Sequence, residues 1–104
     1  MKHLFTCLML AMLALQSFGQ CDGNRFRNYV FTDFVKTADV QYGTNLKYDG
    51  TSQNLLCDIY EPAGDTYTNR PLVIVAHGGF FLSGSKTGPD VVPICESLAK
   101  MGYV

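Results

Sequence analysis

The residues best suited to chemistry lie between Pro71 and Gly84, in the stretch PLVIVAHGGFFLSG. A continuous apolar run at residues 72–76 ends at His77-Gly78-Gly79. An apolar run rich in β-branched residues is typical of a strand buried on both faces of a parallel sheet, and ligands bind at the carboxyl ends of such strands. Two consecutive glycines allow a sharp turn and leave the main chain accessible. The pattern therefore predicts an anion site made of backbone N–H groups.

This stretch resembles the HGGG-type oxyanion motif of α/β-hydrolase esterases and lipases, in which a hydrophobic strand leads into a glycine turn. The resemblance covers residues 36–104. It implies that the backbone N–H groups of Gly79 and Phe80 face the developing oxyanion, and that His77 and Gly78 shape the loop. Phe80 stands where many members of this family have a third glycine. Its side chain restricts φ and ψ and narrows the acyl side of the site, while its N–H is retained.

Ester hydrolysis passes through a tetrahedral intermediate with negative charge on the former carbonyl oxygen. Fixed N–H donors at about 2.7–3.1 Å from that oxygen lower the barrier, and loss of one donor costs on the order of 3 kcal/mol. Glycine supplies the backbone freedom that such donors need. The alternative interpretation of His77-Gly78-Gly79 is a turn that simply ends a strand.

Two strands, a central strand and a helix must position this loop. Residues 35–43 and the alternating residues 54–60 predict an antiparallel hairpin, with Asp58 facing away from its apolar side. A helix is expected from an N-cap at Asp90 to about Met101, with Gly102 as its stop. Its apolar face is read as Val91, Ile94, Cys95, Leu98 and Met101, and Tyr103-Val104 as the opening of a further strand. The expected fold class is α/β, the N-terminal portion of an α/β-hydrolase fold with an incomplete sheet.

A complete serine hydrolase of this type also needs a G-x-S-x-G nucleophile, then an acid, then a histidine, in that order. None of the serines in the chain lies in such a motif. Of the two histidines, His3 lies at the N-terminus and His77 precedes any expected nucleophile, so His77 is interpreted as a loop-shaping residue rather than the base. No catalytic triad residue is therefore assigned within residues 1–104, and the chain is interpreted as part of a longer enzyme whose triad follows Val104.

The N-terminus has the three parts of a secretory signal peptide. A short basic start precedes an apolar core at residues 4–15, and small residues favour cleavage near Gly19/Gln20. The predicted organisation is a signal peptide at residues 1–19, a loose polar leader at residues 20–35 and the hydrolase part at residues 36–104. The protein is expected to be secreted, either extracellular or periplasmic. The apolar core is shorter than the roughly 20 residues of a membrane span, and Gln20 fits poorly into a lipoprotein signal ending at Cys21.

Composition limits the partners and cofactors. The formal net charge is −1 and the chain has no basic run, which argues against nucleic acid as a partner. Cleavage of the signal would remove Cys7 and leave an odd number of cysteines, so that at least one of Cys21, Cys57 and Cys95 is unpaired within the chain. These cysteines do not form a metal-binding pattern. The expected partner is a small ester substrate, and neither metal nor organic cofactor is implied.

Three other functions share features with the esterase: nucleotide binding, peptide hydrolysis and non-catalytic binding. Gly79 to Thr87 approximates a P-loop, but Ser85 separates Gly84 from Lys86, and that insertion misdirects the lysine. A secreted peptidase of the same fold uses the same features. A non-catalytic α/β-hydrolase-like domain for binding or adhesion keeps the scaffold without the triad. The favoured function is a secreted serine hydrolase, a carboxylesterase or lipase-like esterase.

Overall fold

A computed structural model describes residues 23–80 and 82–104 of the chain. Strands β1 (Phe34–Leu46) and β2 (Ser52–Pro62) form an antiparallel hairpin, and helix α1 spans Val92–Met101. The signal peptide predicted at residues 1–19 and the thiol of Cys21 lie outside the described residues. Within the described residues, helices are too short or too polar to cross a lipid bilayer.

The hairpin confirms the sequence prediction and extends it, because both strands run beyond the predicted residues. Gly50, at φ +78°, closes the connection between them. The Asp49 carboxylate accepts hydrogen bonds from the backbone N–H of Thr51 at 2.9 Å and from its hydroxyl at 2.6 Å. This local hydrogen bonding is the turn chemistry that the Tyr48-Asp49-Gly50 sequence predicts.

A β-bulge interrupts the hairpin near the start of β1. The register shifts between Thr37 and Val40, and Asp39 takes a positive φ of +59°. Asp tolerates this left-handed region better than most residues. The bulge turns the backbone N–H of Asp39 toward the Asp58 carboxylate on β2, with the nitrogen 3.1 Å from Oδ1.

Residues 72–76, the apolar segment, are extended but do not join the hairpin's sheet. The prediction of a strand buried on both faces is wrong for this chain, since Leu72 and Ile74 are 70% and 85% exposed. Their neighbours on the described chain do not cover them. One backbone pairing is present: Val104 donates to the carbonyl of Pro71 at 3.0 Å, and Val73 donates to the carbonyl of Val104 at 2.8 Å. This is the pattern of a parallel pair.

Helix α1 ends as predicted but begins differently. Gly102, at φ +105°, donates to Ala99 at 2.9 Å, and Tyr103 donates to Leu98 at 3.1 Å, so glycine caps the C-terminus. The N-cap is Val91 without a side-chain cap, not Asp90. Turn hydrogen bonds to the Gly88 carbonyl from the two valines at 91 and 92 begin the helix instead.

The buried face of helix α1 also differs from the prediction, because Ala99 is buried and Ile94 is not. Ile94 is 50% exposed, whereas Ala99 is fully buried. Val91 and Ala99 are buried and Cys95 and Leu98 are half-buried, at the spacing i, i+8, i+4 and i+7 of one helical face.

The predicted leader is docked on the helix rather than loose. Arg25 forms two hydrogen bonds with Asp65, one at 3.1 Å from Nη1 to Oδ1. The N–H of Phe26 donates to Met101 at 2.9 Å, and the Tyr103 hydroxyl donates to the Phe26 carbonyl at 3.0 Å. We call residues 25–31, Asp65 and residues 101–103 the helix-end corner.

Candidate functional site

The glycine loop, residues 77–88, leaves the apolar segment through a tight turn. The Gly79 carbonyl accepts hydrogen bonds from the N–H groups of Leu82 at 3.0 Å and Ser83 at 3.2 Å. Gly79 has φ +135°, and a Cβ there would overlap the carbonyl oxygen of Ser83. The turn therefore requires glycine at this position on two counts, its φ and its close backbone approach.

The two predicted oxyanion donors are adjacent and available. Among the described residues, no acceptor is hydrogen-bonded to the backbone N–H of Gly79 or Phe80. Phe80 takes φ +51°, in the region that favours glycine, and its side chain is 96% exposed. The position that many members of the resembled family fill with glycine thus has a glycine-like conformation here.

His77 and Gly78 contact the same loop. His77 Nδ1 lies 2.9 Å from the Gly78 carbonyl oxygen, and it must donate because a carbonyl only accepts. Gly84 returns against them: a Cβ there would overlap the Gly78 carbonyl and the His77 ring. The structure thus places His77 on the loop backbone.

The steric need for glycine agrees with the sequence analysis at Gly79 but differs from it at Gly78 and Gly84. At Gly78 a Cβ would meet no atom within 4 Å, whereas Gly84, at φ +115°, has no room for one. Sequence reasoning assigned Gly78 to the loop's shape and gave Gly84 no role. The only signal for Gly84 was its place after Ser83 in an otherwise bulky stretch.

A buried carboxylate lies next to the loop. The side chain of Asp58 is 2% exposed and forms ion pairs with Lys86 of the loop and with Lys36 of β1, whose Nζ lies 2.9 Å from Oδ2. Lys86 Nζ also lies 2.9 Å from Oδ1 of Asp39. One lysine of the loop is therefore held by two carboxylates of the hairpin.

The charges of this cluster reinforce one another. Burial opposes ionisation of Asp58, but hydrogen bonds from Lys36, Lys86 and the Asp39 N–H outweigh it and hold the pKa of Asp58 well below its usual range. The hydrogen bond to Asp58 raises the pKa of Lys36 to about 12. The bonds to Asp58 and then Asp39 raise the pKa of Lys86. All three partners of the Asp58 carboxylate favour its ionised form.

The environment of Asp58 is a correction to the sequence analysis. Strand alternation does place it opposite Leu55, Cys57 and Ile59, as predicted, but that second face is covered rather than open. Its neighbour Tyr60 is 7% exposed and stacks near Phe34, with ring centroids 5.8 Å apart. The lysine pairing that covers Asp58 joins residues 28 positions apart, which strand periodicity does not reveal.

A groove of about 940 Å³ separates β2 from the apolar segment. Its lining is mainly apolar and includes Leu56 and Ile59 of β2 and Val91 and Leu98 of the helix, while His77 and Val104 also border it. Burial raises the pKa of the Cys95 thiol, which also lines the groove. Cys95 is thus a poor nucleophile in this setting.

Neither a metal site nor a disulfide occurs in the part of the chain that the structure describes. Residues 23–80 and 82–104 hold no group of three or more His, Cys, Asp or Glu side chains that could bind a metal ion. Cys57 and Cys95 are both free and partly buried.

Comparison with protein-family models, curated proteins and solved structures gives no match to this chain. What the site can do is therefore read from its geometry. Two adjacent N–H donors follow an apolar segment, in a loop that a buried ion-pair cluster holds beside an apolar groove. Such an arrangement can stabilise negative charge on a bound group.

Proposed function

We propose that residues 71–88 form the oxyanion segment of a secreted serine hydrolase of the α/β-hydrolase fold, acting on carboxylic esters. The observation that carries this proposal is the pair of N–H groups at Gly79 and Phe80, which have no acceptor among the described residues. Backbone donors fixed before the reaction stabilise developing negative charge without reorganising.

In the proposed reaction the substrate carbonyl oxygen binds between these two N–H groups. When a nucleophile adds to the carbonyl carbon, the oxygen becomes an oxyanion and its hydrogen bonds to the two amides strengthen. Residues 1–104 contain no G-x-S-x-G, so the proposal assigns the serine, the acid and the base to chain beyond Val104. The exposed Phe80 side chain would border the acyl group.

The pairing at Val104 supports an α/β arrangement. The chain leaves the apolar segment, passes through the loop and helix α1, and returns parallel to Leu72 and Val73. Parallel strands need such a crossover, usually a helix. Because Val104 also borders the groove, a strand continuing from it would cover the apolar segment with residues that the hairpin does not supply.

The cluster around Lys86 argues against nucleotide binding. A P-loop lysine must point into the phosphate nest, but Lys86 is paired with Asp58 and Asp39 instead. The geometry therefore favours a neutral carbonyl substrate over a nucleotide.

The test begins with the coding sequence after Val104. We expect the frame to continue through G-x-S-x-G, then Asp or Glu, then His. The protein from that complete frame should react with a fluorophosphonate probe and hydrolyse p-nitrophenyl acetate. Faster cleavage of peptide amides than of esters would identify a peptidase. Absence of fluorophosphonate labelling would favour the alternative of a non-catalytic binding domain.

A substitution then tests the oxyanion assignment. Gly79→Pro removes one N–H donor and also breaks the turn, because proline cannot adopt the φ of +135° found at this position. We expect kcat to fall by at least about 10²-fold. Gly43→Ala is the matched control, because its Cβ would make only an ordinary 3.8 Å contact with Leu55 in the distant hairpin. If Gly79→Pro hydrolysed esters at the rate of Gly43→Ala, the assignment of Gly79 would be wrong.

A further inference from the structure

We infer that Asp58 and Asp39 are positioning residues for the oxyanion loop, acting through Lys86. This inference rests on the proposed function for its catalytic meaning, while the positioning itself is a statement about the loop. The observation behind it is one loop lysine held between two carboxylates that belong to paired strands.

The hairpin side of this contact is rigid. Asp58 lies within β2, and Asp39 lies in the bulge of β1 directly across from it. The bulge places two polar groups of Asp39 in contact with the cluster. Its N–H donates to Asp58, and its carboxylate faces Lys86. Bulges often serve to re-aim a side chain in this way. A straight strand at Asp39 would turn that carboxylate elsewhere.

The loop side leads from Lys86 back to the donors in a few contacts. Ser85 Oγ lies 2.8 Å from Thr87 Oγ1 and accepts the Thr87 N–H at 3.2 Å, which fixes the backbone around Lys86. Gly84, two residues before Lys86, packs on the Gly78 carbonyl and the His77 ring. Gly78 is bonded directly to Gly79. A shift of Lys86 would therefore change the positions of the N–H groups of Gly79 and Phe80.

In the described structure, no other polar contact links the loop to the hairpin. Among residues 23–80 and 82–104, Lys86 makes the only hydrogen bonds or ion pairs between the loop and the hairpin. A loop with a single polar tether to the hairpin should respond strongly when that tether is removed. The tether sets the orientation of the donors relative to the sheet.

Hydrogen exchange of the full chain tests the positioning. Lys86→Met keeps the length of the side chain and removes its charge. We expect the amides of Leu82 and Ser83, which donate to the Gly79 carbonyl, to exchange at least tenfold faster, while amides of β1 and β2 keep their rates. Lys86→Arg should restore most of the protection, because it keeps the charge. Lys47→Met is the matched control, since Lys47 is exposed near the hairpin turn. Unchanged exchange at these two loop amides, or equal acceleration in the hairpin, would overturn the inference.

A second variant covers the case in which Lys86→Met fails to fold. Asp39→Asn keeps a residue that tolerates the bulge and keeps its N–H, but it removes the charge that faces Lys86. We expect the amides of Leu82 and Ser83 to exchange about threefold faster in this variant, with the hairpin unchanged. Equal protection in Asp39→Asn and the unmodified chain would contradict the role of Asp39.

Kinetics of the complete enzyme separate this inference from the proposed function. An interaction that positions oxyanion donors acts mainly in the transition state. Lys86→Met should therefore lower kcat about tenfold with KM changed less than twofold. Faster exchange in a protein without hydrolase activity would keep the positioning and reject the proposed function. An active enzyme with unchanged kcat in Lys86→Met would reject the positioning alone.

Discussion

The helix-end corner and the apolar segment differ in how far the described residues supply their partners. In the corner, the Arg25 guanidinium pairs with Asp65, whose side chain is only 5% exposed, and backbone groups from residues 26 and 31 donate to the helix end. In the apolar segment, by contrast, Leu72 and Ile74 face solvent, and among the described residues a single backbone pairing, with Val104, holds the chain. The described residues supply polar partners to the corner but do not cover the apolar segment.

The difference shows that an ion pair needs few partners, whereas a buried apolar strand needs many. A charge pair needs one partner, and Asp65, 40 positions after Arg25, supplies it. A strand buried on both faces needs a neighbour on each side and a layer above and below it. The hairpin and helix α1 provide only part of that cover, so the apolar side chains of residues 72–76 remain exposed. The two regions should therefore respond to substitution in opposite ways.

The largest effect is expected from Arg25→Met, which removes the cation of the helix-end corner. Among the described residues, it would leave the buried Asp65 with the Tyr67 N–H at 3.0 Å and, as its remaining cation, the more distant Arg70, whose Nε lies 3.8 Å away. Breaking a buried ion pair from one side should lower the free energy of unfolding by about 3 kcal/mol. Urea denaturation measures this loss. Arg27→Met is the control, because Arg27 is exposed, and equal losses in both variants would show that the corner does not stabilise the fold.

Acid should weaken the corner and the Asp58 cluster together. Hydrogen bonds from Arg25 lower the pKa of Asp65, against the effect of burial, and the pKa of Asp58 is lowered as well. Carboxylates with lowered folded-state pKa values stabilise the protein above the unfolded value near 4, and that stability disappears as the pH falls further. We expect the thermal midpoint to be steady from pH 7 to 5 and to drop below pH 4.

Asp65→Asn sharpens this pH test. The variant should lose roughly 1–2 kcal/mol at pH 7, where the charged hydrogen bonds are fully present. Its midpoint should then depend less on pH below 4, because one of the two carboxylates no longer titrates. A drop in midpoint as steep as that of the unmodified chain would assign the acid sensitivity to Asp58 or to other groups.

Gly79→Ala should disturb the loop without disturbing the corner. Strain at a positive φ costs about 1–3 kcal/mol, and the added Cβ would also overlap the Ser83 carbonyl. We expect faster hydrogen exchange at the amides of Leu82 and Ser83, which donate to the Gly79 carbonyl, and unchanged exchange in the corner. Gly78→Ala is the control for loop order, since its Cβ meets no atom within 4 Å. Equal exchange in the two variants would show that the turn does not depend on Gly79.

The elements that the sequence predicts correctly are those with local causes. The hairpin follows from alternation at residues 54–60 and from the Asp49-Gly50 turn, and the helix end follows from Gly102 after a periodic run. The tight turn at Gly79 likewise follows from paired glycines behind an apolar segment. Each of these depends on a few neighbouring residues.

The features that the sequence analysis missed depend on contacts between distant parts of the chain. The burial of Asp58 needs a lysine from the glycine loop and a bulge in β1, neither of which has a signature in residues 54–60. The docking of Phe26 needs the helix end as its acceptor. Ile74 is the converse case, because its apolar run predicts burial while none of the described residues covers it.

The smallest effect in this chain is expected from Ile74→Thr, and it tests the comparison most directly. Because Ile74 is 85% exposed, the free energy of unfolding of the 104-residue chain should change by no more than about 0.5 kcal/mol. In the complete protein of our proposal the same position lies in a covered strand, and the loss should be about 2–4 kcal/mol. Leu46→Thr, at an exposed position of β1, should be nearly neutral in both. Urea denaturation of the four variants measures the difference, and an equally small loss for Ile74→Thr in the complete protein would mean that the apolar segment is not a central strand.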